Sequence, residues 1–141
     1  MENNIKSTFK FNNYNITNVR FSINEDFEGE NGVELDVSFK TSIKTSNNGK
    51  AIINLTAIVF ENCVQNNYPF ELEINIQGYF SFDNNLNDED VLKRCKVNGT
   101  SILFPYLRSA ITDVTKIANV NPLVLPSINI YNLIKENEKE Q

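Results

Sequence analysis

The chain contains no histidine. That removes the commonest general base and the commonest metal ligand together. Cysteine is scarce as well: Cys63 and Cys95 are the only two, far apart and without ligand-like spacing. They read as reduced thiols of a cytosolic protein, not as a staple or a zinc site. No apolar run approaches the ~18–20 residues that span a bilayer, which speaks against membrane insertion. Residues 1–10 are polar and lack the apolar core of a signal peptide, so a cytoplasmic location is expected. Positive charge is the minority, 13 Lys and Arg against 18 Asp and Glu, for a net charge of −5. An acidic chain repels phosphate backbones and argues against nucleic acid as a partner. Carboxylates group at Glu71/Glu73, on one side of a strand, and at Asp88/Glu89/Asp90, at a helix start. Neither group has a nucleophile or metal-ligating companion. No catalytic residue, metal or cofactor is therefore assigned, and the chain does not read as an enzyme.

What is present is apolar patterning. At 141 residues, 40% hydrophobic and 22% charged, the chain suits one domain over 1–141, with a polar tail at 135–141 expected to fray. The first half alternates with period two. From Val33 the residues Val33, Leu35, Val37, Phe39, Thr41 and Ile43 interleave with polar ones, predicting a half-buried strand over 33–44. Asn48-Gly49 signals a tight hairpin into a strand that starts at Lys50. A third alternation begins at Phe70 and is interrupted by Gly78, at a bulge or a close approach. Upstream, residues 9–23 form a strand whose phase slips around 12–16, which predicts a bulge. The second half changes period. A short helix is expected over 88–95, broken by Asn98-Gly99. A main helix follows, with Pro105 in its first turn and a stripe of Leu103, Leu107, Ala110, Ile111, Val114, Ile117 and Ala118. Residues 119–126 are extended between prolines, and Ser127 caps a last helix over 128–139. The fold class is α+β: a four-stranded antiparallel sheet with helices packed on one face.

The apolar supply exceeds what one sheet face needs. Phe104, Tyr106, Leu123, Val124 and Leu125 add bulk outside the stripe, and Ile52, Ile58 and Phe60 lie on the nominally wet side of a strand. Each alone is most simply core. Together they point to self-association and a leftover apolar groove.

The stretch SILFPYLRSAITDVT (101–115), followed by NPLVLPSINIYNL (121–133), resembles the SecB protein-export chaperones. FELEINIQGYF (70–80) and VELDV (33–37) resemble two strands of that family. The resemblance implies an ATP-independent holdase for unfolded polypeptides. It implies a homodimer or dimer-of-dimers tetramer whose main helices meet, here through Leu103, Tyr106, Leu107, Ala110, Ile111 and Val114. It implies a client groove at Val33, Leu35, Val37, Ile130 and Leu133. The family docks the SecA motor through acids on the sheet's solvent face. Glu73 matches one, and with Glu71 beside it is the expected docking site for a SecA-type partner; Glu71 stands where the family has an apolar residue, and Asn18 and Ser22 stand where first-strand acids are expected. The connection at 25–32 is shorter than the family's. Three functions follow as readings: a general holdase for protein export, a chaperone dedicated to a narrow client such as an antitoxin, or a carrier of a small hydrophobic ligand.

Overall fold

A computed structural model describes residues 9–29, 32–83 and 89–139. Period-two sequence becomes four strands: β1 (Phe9–Ile23), β2 (Val37–Thr45), β3 (Lys50–Val59) and β4 (Phe70–Phe82). They form one antiparallel sheet in the order β1-β4-β3-β2. β3 buries Ala51, Ile53, Leu55, Ala57 and Val59, and β4 buries Leu72, Ile74, Ile76 and Phe80. The residues between them stay half-exposed on the outer face.

β1 and β2 are opposite edges, so the chain between them must cross the ends of β4 and β3. That explains why β2 begins at Val37 and not at Val33. Val59 is the last residue of β3 to pair, opposite Val37, and Phe60 turns away with φ at 56°. Val33 and Leu35 keep their alternation but belong to the crossover, half-buried against the core. Asn24 anchors the start of that crossover. It is buried, and its Nδ2 donates to the carbonyls of Cys63 (3.2 Å) and Tyr68 (2.9 Å).

The phase slip in β1 resolves into two register shifts, between Phe11 and Asn13 and between Ile16 and Asn18. Two one-residue slips restore the original phase. Ile16, Val19, Phe21 and Ile23 therefore sit opposite Ile76, Ile74, Leu72 and Phe70, on the face that β4 buries.

The expected break at Asn98-Gly99 does not occur. A single helix, α1 (Glu89–Ile117), runs through it and through Pro105. Asn87 and Asp88, part of the expected cap, lie outside the described residues. Cys95, Gly99, Leu103, Leu107 and Ile111 recur every four residues as the row pressed on the sheet. Gly99 is there for contact, since a Cβ would overlap Ile53 Cδ1 and lie 3.2 Å from Phe80 Cζ. Gly78 performs the same service from the sheet. It pairs regularly, so it marks a close approach and not a bulge, and a Cβ would meet Leu103 Cδ2 at 2.7 Å. Pro105 is tolerated because it and Ser101, whose carbonyl loses its usual donor, both face solvent.

The extended segment after α1 is pinned by α1's own threonines. Leu123 N–H donates to Thr115 Oγ1 (3.0 Å) and its carbonyl accepts from Thr112 Oγ1 (2.7 Å). Leu125 is thereby fully buried. The last helix, α2, is Ile130–Lys139. Its cap is Asn129, whose Oδ1 accepts from Asn132 N–H at 3.0 Å, and not Ser127. α2 extends into the stretch expected to fray, because Ile134 is buried and holds it down. No described helix is long and apolar enough to cross a membrane.

An ordinary interior glycine in a helix gains about 1 kcal/mol on replacement by alanine. Gly99→Ala should instead lose about 1–3 kcal/mol, because the packed core has to yield, and Gly78→Ala should lose a similar amount. Urea unfolding measures both. A stabilised Gly99→Ala would mean that α1 does not lie this close to the sheet.

Candidate functional site

α1 covers the middle of the inner face and leaves its flanks. On the β1 flank Val19 and Ile23 remain 46% and 49% exposed, although both face inward by register. Tyr106 of α1 is also exposed and stacks on Tyr14 with ring centroids 4.4 Å apart, beside Phe11. The result is an apolar surface along an unpaired strand edge.

The β2 flank is built differently. Here α2 lies beside the edge strand, and between them runs a trough of about 530 Å³. Val37, Phe39, Ile128 and Leu133 line it with Lys40 and Asn137. Phe39 is steadied edge-on against Phe104, centroids 5.8 Å apart. Below, Thr41 and Thr100 share a buried hydroxyl contact of 3.0 Å. Asn137 reaches from α2 to the strand. Its Oδ1 accepts from Thr41 N–H (2.9 Å) and its Nδ2 donates to the Phe39 carbonyl (3.1 Å).

Of the residues expected in a groove, Val37 and Leu133 line this trough. Val33, Leu35 and Ile130 are half-buried against the core and are not among its lining residues. The residues expected at a contact between copies divide. Leu103, Leu107 and Ile111 are wholly buried inside the chain's own core, which corrects the expectation for these three. Tyr106 is exposed, and Ala110 and Val114 are half-buried. The surplus divides too. Phe60, Phe104 and Leu125 are core, whereas Val124 is exposed and Ile52 and Ile58 are half-exposed. The sequence reading missed the β1 flank, Phe39 and Ile128 as lining residues, and Asn137. The inward phase of β1 could have been recovered by allowing two bulges. Nothing local marks Asn137.

On the outer face the two acids expected to dock a partner already have partners. Glu73 Oε1 lies 2.8 Å from Arg20 Nη2, and its other oxygen accepts from Asn18 Nδ2 at 3.3 Å. Glu71 Oε1 accepts from Cys63 N–H at 3.1 Å. Cys63 and Cys95 are free and buried. Burial first, and the charge of Glu71 second, push the Cys63 thiol above its ordinary value. Burial does the same for Cys95, against a smaller opposing effect of Arg94. Neither thiol is set up as a nucleophile.

The family model described as preprotein translocase subunit SecB matches residues 6–141. An uncharacterized protein of Methanocaldococcus jannaschii is 30% identical over 99% of this chain and 90% of its own length. The protein-export protein SecB of Anaplasma phagocytophilum is 38% identical over 51% of this chain and 47% of its own. Its counterpart in a Wolbachia strain from Drosophila simulans is 28% identical over 63% and 54%. The chain thus spans about half the length of these export proteins. Among solved structures, a SecB-like chaperone of Mycobacterium tuberculosis shares the fold, with a TM-score of 0.72 over 86% of this chain and 92% of that one, at 12% identity. That structure is a complex with a ChAD peptide from the HigA1 antitoxin.

Thiolates, not thiols, react with disulfide reagents. Both cysteines should therefore label with DTNB at least about tenfold more slowly in the native protein at pH 8 than in urea, since reaction waits on local opening. Immediate labelling of Cys95 in the native state would contradict its burial.

Proposed function

This chain belongs to the SecB family, and from that premise we propose that it is an ATP-independent cytoplasmic chaperone that holds non-native polypeptide in the trough between β2 and α2. The observation that carries this reading is the incomplete cover of the sheet's inner face. Apolar side chains at both flanks are left over after the core is closed. An unfolded chain presents apolar side chains in no fixed order. A trough in which Val37, Phe39, Ile128 and Leu133 stand among polar and charged residues such as Glu61 and Glu136 takes those side chains on its apolar positions without reading their order, at roughly 1.5–3 kcal/mol for each side chain fully buried. Repeated weak contacts along one client then multiply. A trough open along a strand edge suits a polypeptide better than a small ligand, which calls for an enclosing pocket with a few polar anchors.

Two destinations for the client follow. Export is supported by the names of the relatives from Anaplasma and Wolbachia. A dedicated client such as an antitoxin is supported by the peptide held in the structural neighbour, and by one feature of this chain. The Arg20–Glu73 pair and the Cys63–Glu71 hydrogen bond engage the acids that would otherwise dock SecA. We favour the holding activity as common to both, with the engaged acids weighing toward a dedicated client.

The β1 flank supports self-association, as a dimer or dimer of dimers. A second copy would cover Val19 and Ile23 and pair the open edge, a hazard that solitary sheets otherwise manage with charges or bulges.

The purified protein should suppress aggregation of denatured citrate synthase without ATP. Leu133→Asp should weaken client binding about tenfold, the worth of roughly one lost leucine contact. A wild type that leaves light scattering unchanged would overturn the holding function. In sedimentation, Val19→Asp with Ile23→Asp should shift the protein toward monomer. An unchanged sedimentation coefficient would place the interface elsewhere.

A further inference from the structure

A strand at the edge of a sheet leaves every second N–H and C=O without a partner. On the free edge of β2 two of these groups are satisfied, and by a side chain. Asn137 takes the Thr41 N–H and gives to the Phe39 carbonyl, 2.9 and 3.1 Å away. A primary amide carries the same acceptor and donor as a peptide group. Asn137 thus makes the two bonds that a neighbouring backbone would make, from a residue 96 positions away in sequence. The groups bound are those directed away from β3, because β2 ends the sheet on this side. The trough runs alongside, with Phe39 and Leu133 among its lining residues and Lys40 and Asn137 at the same edge.

We propose that Asn137 is a placeholder for client backbone: an extended polypeptide segment adds to the free edge of β2 as a further strand and displaces the Asn137 amide from Thr41 and Phe39. This rests on the holding function above and specifies how the client is held. The exchange is like for like in hydrogen bonds. The gain comes from what Asn137 cannot supply, namely further backbone pairing toward Val37 and Ile43 and apolar side chains laid against Ile128 and Leu133. Strand geometry turns alternate residues to opposite faces. The preferred client is therefore an extended segment with apolar residues at every second position and polar ones between. Backbone pairing supplies affinity without reading sequence, as in other cases of strand addition. When no client is present, Asn137 keeps the edge from pairing with a chance strand.

The test uses the full chain and a fluorescent peptide of roughly eight residues, a usual strand length, in which valine alternates with serine. Two versions carry N-methyl groups at odd or at even positions. One should lose about tenfold or more in affinity, because methylation removes N–H groups that face the edge, while the other should bind like the parent. Asn137→Ala should tighten parent binding about threefold to tenfold, the worth of about one net hydrogen bond no longer competed for. Should that variant loosen α2, the wild type answers the same question by NMR: saturating peptide should move the Asn137 side-chain amide resonances to solvent-exposed positions. If the parent binds but both methylated versions weaken equally, or if the Asn137 amide is unmoved at saturation, the placeholder fails while the holding function stands. If neither the peptide nor denatured citrate synthase binds, the holding function fails and takes the placeholder with it.

Discussion

The rest of the structure depends on how close α1 lies to the sheet. Two glycines set that distance, Gly99 on the helix against Ile53 and Phe80, and Gly78 on β4 against Leu103. The helix is pressed down over β3 and β4, and Leu103, Leu107 and Ile111 are fully buried. The same closeness confines its cover to a narrow band. One helix has the width of about two strand spacings, so a four-stranded sheet keeps two uncovered flanks. The partly covered flanks are the remainder of that geometry, not separate additions to the fold.

The two flanks are finished in different ways. β1 turns apolar residues inward along its whole length and then receives little cover. Tyr106 bridges to Tyr14, and beyond that point Val19 and Ile23 face solvent. β2 is met by α2, which arrives there because Thr112 and Thr115 fix the connector and bury Leu125. α2 is held there by buried Ile134, by Ile130 against the core, by the Asn137 amide and by an ion pair of Glu138 with Lys93 of α1.

On the outer face Arg20 and Asn18 of β1 draw Glu73 of the neighbouring β4 into intramolecular contact. Surface pairs of this kind add little stability, about 0–1 kcal/mol. Their consequence is electrostatic: an acid paired with arginine offers a basic partner less than a free one does.

Much of this was legible along the chain. Alternation names the inward residues of β3 and β4, and the Asn48-Gly49 turn joins β2 to β3, because period and turn chemistry are local properties. The wording around Pro105 identifies the family. Other features depend on what lies opposite. Asn98-Gly99 and Pro105 read as punctuation, yet the helix continues. Gly99 is placed by Ile53, and Pro105 by its exposed position. The stripe of α1 does not reveal which of its residues a single sheet will consume, so Leu103, Leu107 and Ile111 are expected at a contact between copies, whereas the chain's own core takes them. Asn137 is one asparagine among many until a helix brings it onto the backbone of a strand from the first half of the chain. The sequence by itself determined the elements, the inner face and the family, since those are written in neighbouring residues. The tertiary structure alone decided which apolar residues remain in contact with water and which edge is occupied, since exposure belongs to a surface that distant segments make together.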